Sequence, residues 1–200
     1  MLTKIRSIQA GDTLIEVLFA VTVFSLVAVG SLSIMNQGTA TAQRSLEITL
    51  VRQEIDGQAE ALRFIHDSYI AAYPNIVSGT VSDEWNNIIN KKSVTFASAF
   101  GTCPKVLPNN AFVINTKTAQ LVPDGNITLT VPTYSQLRYA IATPSVLTKA
   151  EGIWVEAVRS TKVPGDSSGS VDFHIRACWQ SSAQTMPMSL GTIVRLYEPR

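Results

Sequence analysis

The chain has 200 residues, 46% of them hydrophobic and only 16% charged, with 16 basic and 15 acidic side chains and a formal net charge of +1. That length suits one domain, or one domain with an appendage. The apolar fraction excludes a disordered chain, and the lack of a basic stripe excludes a protein that wraps a phosphate backbone, so no direct nucleic-acid partner is expected.

A soluble domain carries roughly a quarter charged residues, so the low charge and the mean hydropathy of +0.17 point to apolar sequence concentrated somewhere. It lies near the amino terminus: between Arg6 and Arg44 the only acidic or basic side chains are Asp12 and Glu16. Leu14 to Met35 is a run of 22 residues that rises about 33 Å as a helix, enough to cross a hydrocarbon core of about 30 Å. Lys4 and Arg6 precede it, which by the positive-inside rule keeps the amino terminus cytoplasmic and sends the rest across.

An ordinary secretory signal carries its small-residue cleavage site after the apolar run. Here Gly30, Ser31 and Ser33 make no such site, and Ala10-Gly11 stands before the run instead. The string Gly11-Asp12-Thr13-Leu14-Ile15-Glu16-Val17-Leu18 resembles the processing motif of type IV prepilins and type II secretion pseudopilins. The resemblance covers roughly the first 65 residues. It implies cleavage after Gly11 by a membrane-embedded prepilin peptidase, N-methylation of the new terminus at Asp12, and an assembly role for Glu16. The implied partners are homologous pilin subunits, the peptidase, a membrane platform protein, a cytoplasmic assembly ATPase and the lipid of the cytoplasmic membrane. The chain would rest in that membrane before assembly and in a surface filament afterwards. The competing reading is a single-pass anchored binding protein or enzyme whose extracytoplasmic head acts alone.

Charge gives the motif a mechanism. An intramembrane carboxylate costs about 2.5 to 3.5 kcal/mol on insertion scales. Cleavage after Gly11 frees an α-ammonium, and in a bundle of axially displaced parallel helices the amine of one subunit lies beside Glu16 of the next, an attraction that low dielectric strengthens. Asp12 departs from the family, whose mature chains usually begin with an apolar residue. It adds a second carboxylate at i, i+4 from Glu16, which competes for the ammonium, holds it internally or sits hydrated at the interface. Losing the leader also removes Lys4 and Arg6, so the mature chain has 14 basic against 15 acidic side chains.

The helix is expected to continue to about Tyr73, where Pro74 stops it, for a rise of roughly 90 Å. Ile48, Val51, Ile55, Ala59, Leu62 and Ile65 recur at three- and four-residue steps, while Arg44, Glu47, Arg52, Glu54, Glu60 and Arg63 fill other faces. Gly30 to Gly38, interrupted by Ser31, Ser33 and Asn36, reads as the weakest stretch and a place for local melting. The expected parts are thus a leader (1–11), a transmembrane or filament-core helix (12–35), its continuation (36–73) and an extracytoplasmic head (74–200).

The head reads as mainly β, which makes the whole an α+β, pilin-like chain: one long amino-terminal helix packed on an antiparallel sheet. Strand-like runs are Val94–Phe100, Ala111–Asn115, Ala119–Val122, Ile127–Val131, Leu137–Ala142, Gly152–Arg159, Val171–Trp179 and Thr192–Tyr197. Turn signals separate them at Pro108–Asn110, Pro123–Asn126 and Val163–Gly169. Cys103 and Cys178 both fall in the head, where a disulfide is chemically permitted; two unpaired buried thiols are the alternative.

Candidate chemistry in the head is thin. Gly165-Asp166-Ser167-Ser168-Gly169 is superficially similar to a protease nucleophile loop, but it lacks the double glycine and the upstream histidine context, so it reads as a hydrophilic hairpin loop. His66 beside Asp67 suggests a cation near the helix carboxy terminus. His174, between Phe173 and Ile175, reads as a strand histidine. Asp83-Glu84 and Asp124-Gly125-Asn126 offer too few acidic ligands for calcium. Trp85, Trp154 and Trp179 suit either an exposed patch or packing, and packing is the ordinary reading. No catalytic residue, metal site or cofactor is expected.

Overall fold

The structure is a computed structural model, and it describes residues 12–93, 103–104, 110–122, 139–143, 146–150, 152–159, 169–181 and 184–198. Helix α1 (Asp12–Ala72) is followed by α2 (Val81–Asn90) and seven strands: β1 (Ile114–Asn115), β2 (Gln120–Leu121), β3 (Tyr139–Thr143), β4 (Val146–Ala150), β5 (Ile153–Arg159), β6 (Ser170–Trp179) and β7 (Met188–Tyr197). The chain divides into two units, with the boundary between Arg44 and Ser45. That boundary lies within α1, later than the expected end of the apolar segment at residue 35, and it groups the carboxy-terminal part of the helix with the head.

The first unit is helix α1 up to Arg44. Its apolar side chains are exposed around the whole circumference: Leu14, Phe19, Phe24, Leu26, Val29 and Ile34 all retain two-thirds or more of their surface. The helix is unbroken through Gly30–Gly38, so the expected weak stretch keeps its hydrogen-bonded turns. Hydroxyls that would compete with the backbone are folded back on it: Thr22 Oγ1 donates to Phe19 O at 2.8 Å, Ser25 Oγ to Val21 O at 2.7 Å, and Ser31 Oγ to Val27 O at 2.8 Å.

In the second unit, one stripe of α1 is buried at three- and four-residue spacing: Val51, Ile55, Ala59, Leu62 and Ile65. It packs with Phe112, Ile114, Val155, Phe173 and Ile175 in one hydrophobic core. Helix α2 was not anticipated from the sequence. It contributes Trp85 and Ile88 to that core, and Trp85 lies 5.7 Å from Phe173 and 4.8 Å, edge-on, from His66. Asp83, in the first turn of α2, accepts a hydrogen bond from the Gly79 amide at 3.1 Å, which together with Asn86 and Ser78 holds its carboxyl below the usual aspartate range.

The described strands form three separate antiparallel sheets, β1-β2, β3-β4 and β5-β6-β7, in place of the single sheet expected. β6 alternates buried and half-buried residues from Ser170 to Arg176, as a strand with two different faces does. The free edge of β5 is covered: Phe112 exchanges backbone hydrogen bonds with Val155, and Ser93 accepts from Arg159 N and donates to Ala157 O. β7 begins at Met188, four residues before the expected Thr192; Gly191 had masked its start. β4 was not anticipated. The expected runs Val94–Phe100 and Ile127–Val131, and the loop 163–168, lie outside the described residues.

Candidate functional site

Residues 1–11, Gly11 included, lie outside the described residues. α1 is described from Asp12, the residue that the motif makes the first of the mature chain. Glu16 stands one turn further in, exposed among Leu14, Ile15, Val17, Leu18 and Phe19. Among the described residues it has no ion-pair or hydrogen-bond partner within the chain. A carboxylate on an apolar helix surface is costly to leave unpaired once water is removed. The helix is long and apolar enough to cross a membrane.

In the head, Cys103 and Cys178 form a disulfide with a Cα–Cα distance of 5.5 Å. Cys178 packs with Ala111, Val113, Val122 and Trp154 in a second, smaller cluster on the opposite face of the sheet. The three tryptophans are all buried, Trp85 at 2%, Trp154 at 2% and Trp179 at 1% exposure, so they form no surface patch.

Two buried polar residues of α1 escaped the sequence reading. Glu47, placed there on an outer face, is 1% exposed and accepts a hydrogen bond from Trp179 Nε1 at 3.2 Å. Gln58 reaches the backbone of Ile114 with both ends of its amide: Nε2 donates to Ile114 O at 2.7 Å, and Ile114 N donates to Oε1 at 3.0 Å. The signal for both was available, since the stripe of Val51, Ile55, Leu62 and Ile65, extended by helical steps, passes through positions 47 and 58. Their polar side chains concealed it.

His66 lies short of the last turn of α1. Its Nε2 donates to the Tyr197 carbonyl at 2.8 Å, with Nδ1 facing Asp67 at 3.5 Å, so it ties α1 to the end of β7. His174 lies on the outer face of β6 opposite Glu156, and burial lowers its pKa despite the opposing pull of Asp172 and Glu156. Glu156, 3% exposed, accepts from Trp154 Nε1 at 3.0 Å. Asp172 and Arg195 face each other across β6 and β7 in a two-point pair, Nε to Oδ1 at 2.6 Å and Nη2 to Oδ2 at 2.8 Å, which lowers the Asp172 pKa. Among the described residues no three histidine, cysteine or acidic side chains are grouped to hold a metal. Asp124–Asn126 lies outside them.

The polar groups described in the head hold its parts together; none is arranged as nucleophile, base and oxyanion donor. Among the described residues Glu16, on the exposed apolar helix, is left without a partner. Comparison with protein-family models, curated proteins and solved structures finds no match.

Proposed function

We propose that this chain is a structural subunit of a type IV pilus or of a type II secretion-like filament, made as a prepilin, cleaved after Gly11 and polymerised through its amino-terminal helix. The observation that carries the reading is Glu16, exposed and without an ion-pair or hydrogen-bond partner among the described residues, on an apolar helix long enough to cross a membrane. Its partner is the α-ammonium that cleavage creates on a neighbouring subunit, and the pair sets the axial register. The head is displayed outside the membrane and contributes no catalysis. Major pilin, minor tip subunit and pseudopilin share this chemistry.

Two measurements test it. Mass spectrometry of the amino terminus, in cells that possess the peptidase, is expected to show a mature chain beginning at Asp12; a membrane monomer still beginning at Met1 overturns the reading in favour of a single-pass anchored protein. Glu16→Ala is expected to insert and be cleaved normally yet be lost from sheared filament fractions, and normal incorporation overturns the role of Glu16.

A further inference from the structure

We infer that Trp154, Glu156 and the Cys103–Cys178 disulfide form a photoreduction site, in which an electron from the excited indole opens the disulfide and Glu156 takes the indole proton. This chemistry lies within the head and is independent of filament assembly and of leader processing.

The strand register places donor and acceptor together. Trp154 lies opposite Arg176 in the β5-β6 ladder, so Cys178, two residues on, is its diagonal neighbour on the same face of the sheet, within reach of an aromatic side chain. The residue beside Cys178 on the β5 side is Gly152, whose carbonyl accepts from Cys178 N at 2.6 Å and which has no side chain to stand between indole and sulfur. Trp154 and Cys178 are each 2% exposed and share one cluster, against which the partly buried Cys103 packs. Trp85 and Trp179 belong to the core on the opposite face.

Glu156 supplies the third part. It stands on the same face of β5 as Trp154, is 3% exposed, and accepts from Trp154 Nε1 at 3.0 Å. An excited indole gives one electron to the empty antibonding orbital of a disulfide in van der Waals contact. The resulting charge pair collapses unless the indole radical cation loses its proton first. That cation is a far stronger acid than indole itself, and here its N–H already points at a carboxylate. Proton transfer to Glu156 leaves a neutral indolyl radical, with no positive charge to draw the electron back.

The disulfide radical anion takes a proton from water and parts into one thiol and one thiyl, while Glu156 returns its proton to solvent. Trp154 thus loses one electron and one proton, the disulfide gains one of each, and the S–S bond breaks. Opening frees the stretch before β1 from the end of β6, two segments 75 residues apart in sequence.

Illumination of the full-length chain in detergent, under argon and at the red edge of indole absorption, tests this. The chain has two cysteines, both in this bond, so every thiol trapped by a maleimide reports its opening. The unsubstituted chain is expected to gain thiol in proportion to dose. Trp154→Phe is expected to lower the rate several-fold, and Trp85→Phe to lower it by no more than the absorbance it removes. Glu156→Gln, whose amide oxygen still accepts from the indole but is no base, is expected to slow opening several-fold with the fold intact. Where Trp154→Phe does not fold, emission of the unsubstituted chain serves: reducing the disulfide with a phosphine is expected to raise tryptophan emission, because the electron acceptor that quenches Trp154 is gone. An unchanged rate in Trp154→Phe, an equal loss in Trp85→Phe, an unchanged rate in Glu156→Gln, or unchanged emission on reduction each overturns the proposal.

Discussion

At the scale of single residues, the head depends on polar side chains buried with their partners in place. Gln58 acts as a piece of strand, satisfying both backbone groups of Ile114 from a helix. Gln58→Leu preserves volume but orphans a buried amide and a buried carbonyl. At about 1–3 kcal/mol for each of the two unsatisfied groups, the expected loss is about 2–6 kcal/mol in denaturant unfolding; a loss below about 0.5 kcal/mol would mean that water replaces the glutamine. The titrating pair on the sheet's outer face gives a pH dependence with a definite sign. Asp172 has a depressed folded pKa, so its stabilisation is present above the usual aspartate range and is lost as pH falls through the folded value. His174, also depressed, contributes stability above the ordinary histidine range that is lost as pH falls through its lower folded value. Thermal melts from pH 7 to pH 3 are expected to show two losses, the upper one absent in His174→Gln and the lower one absent in Asp172→Asn. Both groups are half-buried and partly screened by solvent, so the two steps are small.

At the scale of elements, α1 shows how a local weakness is overridden. Glycine costs about 1 kcal/mol in a helix interior, yet Gly30 and Gly38 lie within an unbroken helix, because long flanking runs supply the nucleus and Ser31, Thr39 and Thr41 bond back to the preceding turn. An added Cβ at Gly38 meets nothing within 4 Å. Gly38→Ala is therefore expected to raise the cost of local opening by about 1 kcal/mol, that is, to slow amide exchange around residue 38 several-fold; unchanged exchange would show that this stretch does not open by local fraying. α2 was missed because it is short, ten residues, and lies between two loop-like stretches, although Val81, Trp85, Ile88 and Ile89 fall at i, i+4, i+7 and i+8. Asp83 at its start, bonded to the Gly79 amide, is a helix-start sign that the sequence reading weighed only as a calcium ligand and set aside.

At the scale of the whole molecule, the second unit is closed by a covalent link between distant segments. The disulfide joins residues 75 apart in sequence and fastens the stretch before β1 to the end of β6. In the chain-entropy model a loop of that size contributes roughly 4 kcal/mol. Replacing both cysteines, Cys103→Ser with Cys178→Ala, is expected to lower the head's stability by about that amount in urea, with the Trp154 cluster the first to lose its fluorescence environment; an unchanged midpoint would show that packing alone holds that region. The link also explains the second, smaller cluster: Ala111, Val113 and Val122 lie over Trp154 and Cys178 on the face of the sheet that α1 does not cover.

What the sequence determined by itself was whatever depends on runs and periods. The apolar helix from Leu14 to Met35, its continuation to the stop at Pro74, the buried stripe from Val51 to Ile65 and the alternating strands β5 and β6 all follow from local spacing, because burial of one face imposes that spacing on the chain. Tertiary structure alone decided where polar side chains go. Glu47 meets Trp179, Gln58 completes Ile114, His66 reaches Tyr197 and Asp172 clasps Arg195, and apart from the last pair, which neighbouring strands place opposite each other, none of these partners lies within a helical turn or a hairpin of the other. A polar residue carries no period of its own. Its burial depends on a partner brought from elsewhere in the chain, and only the folded molecule supplies that partner.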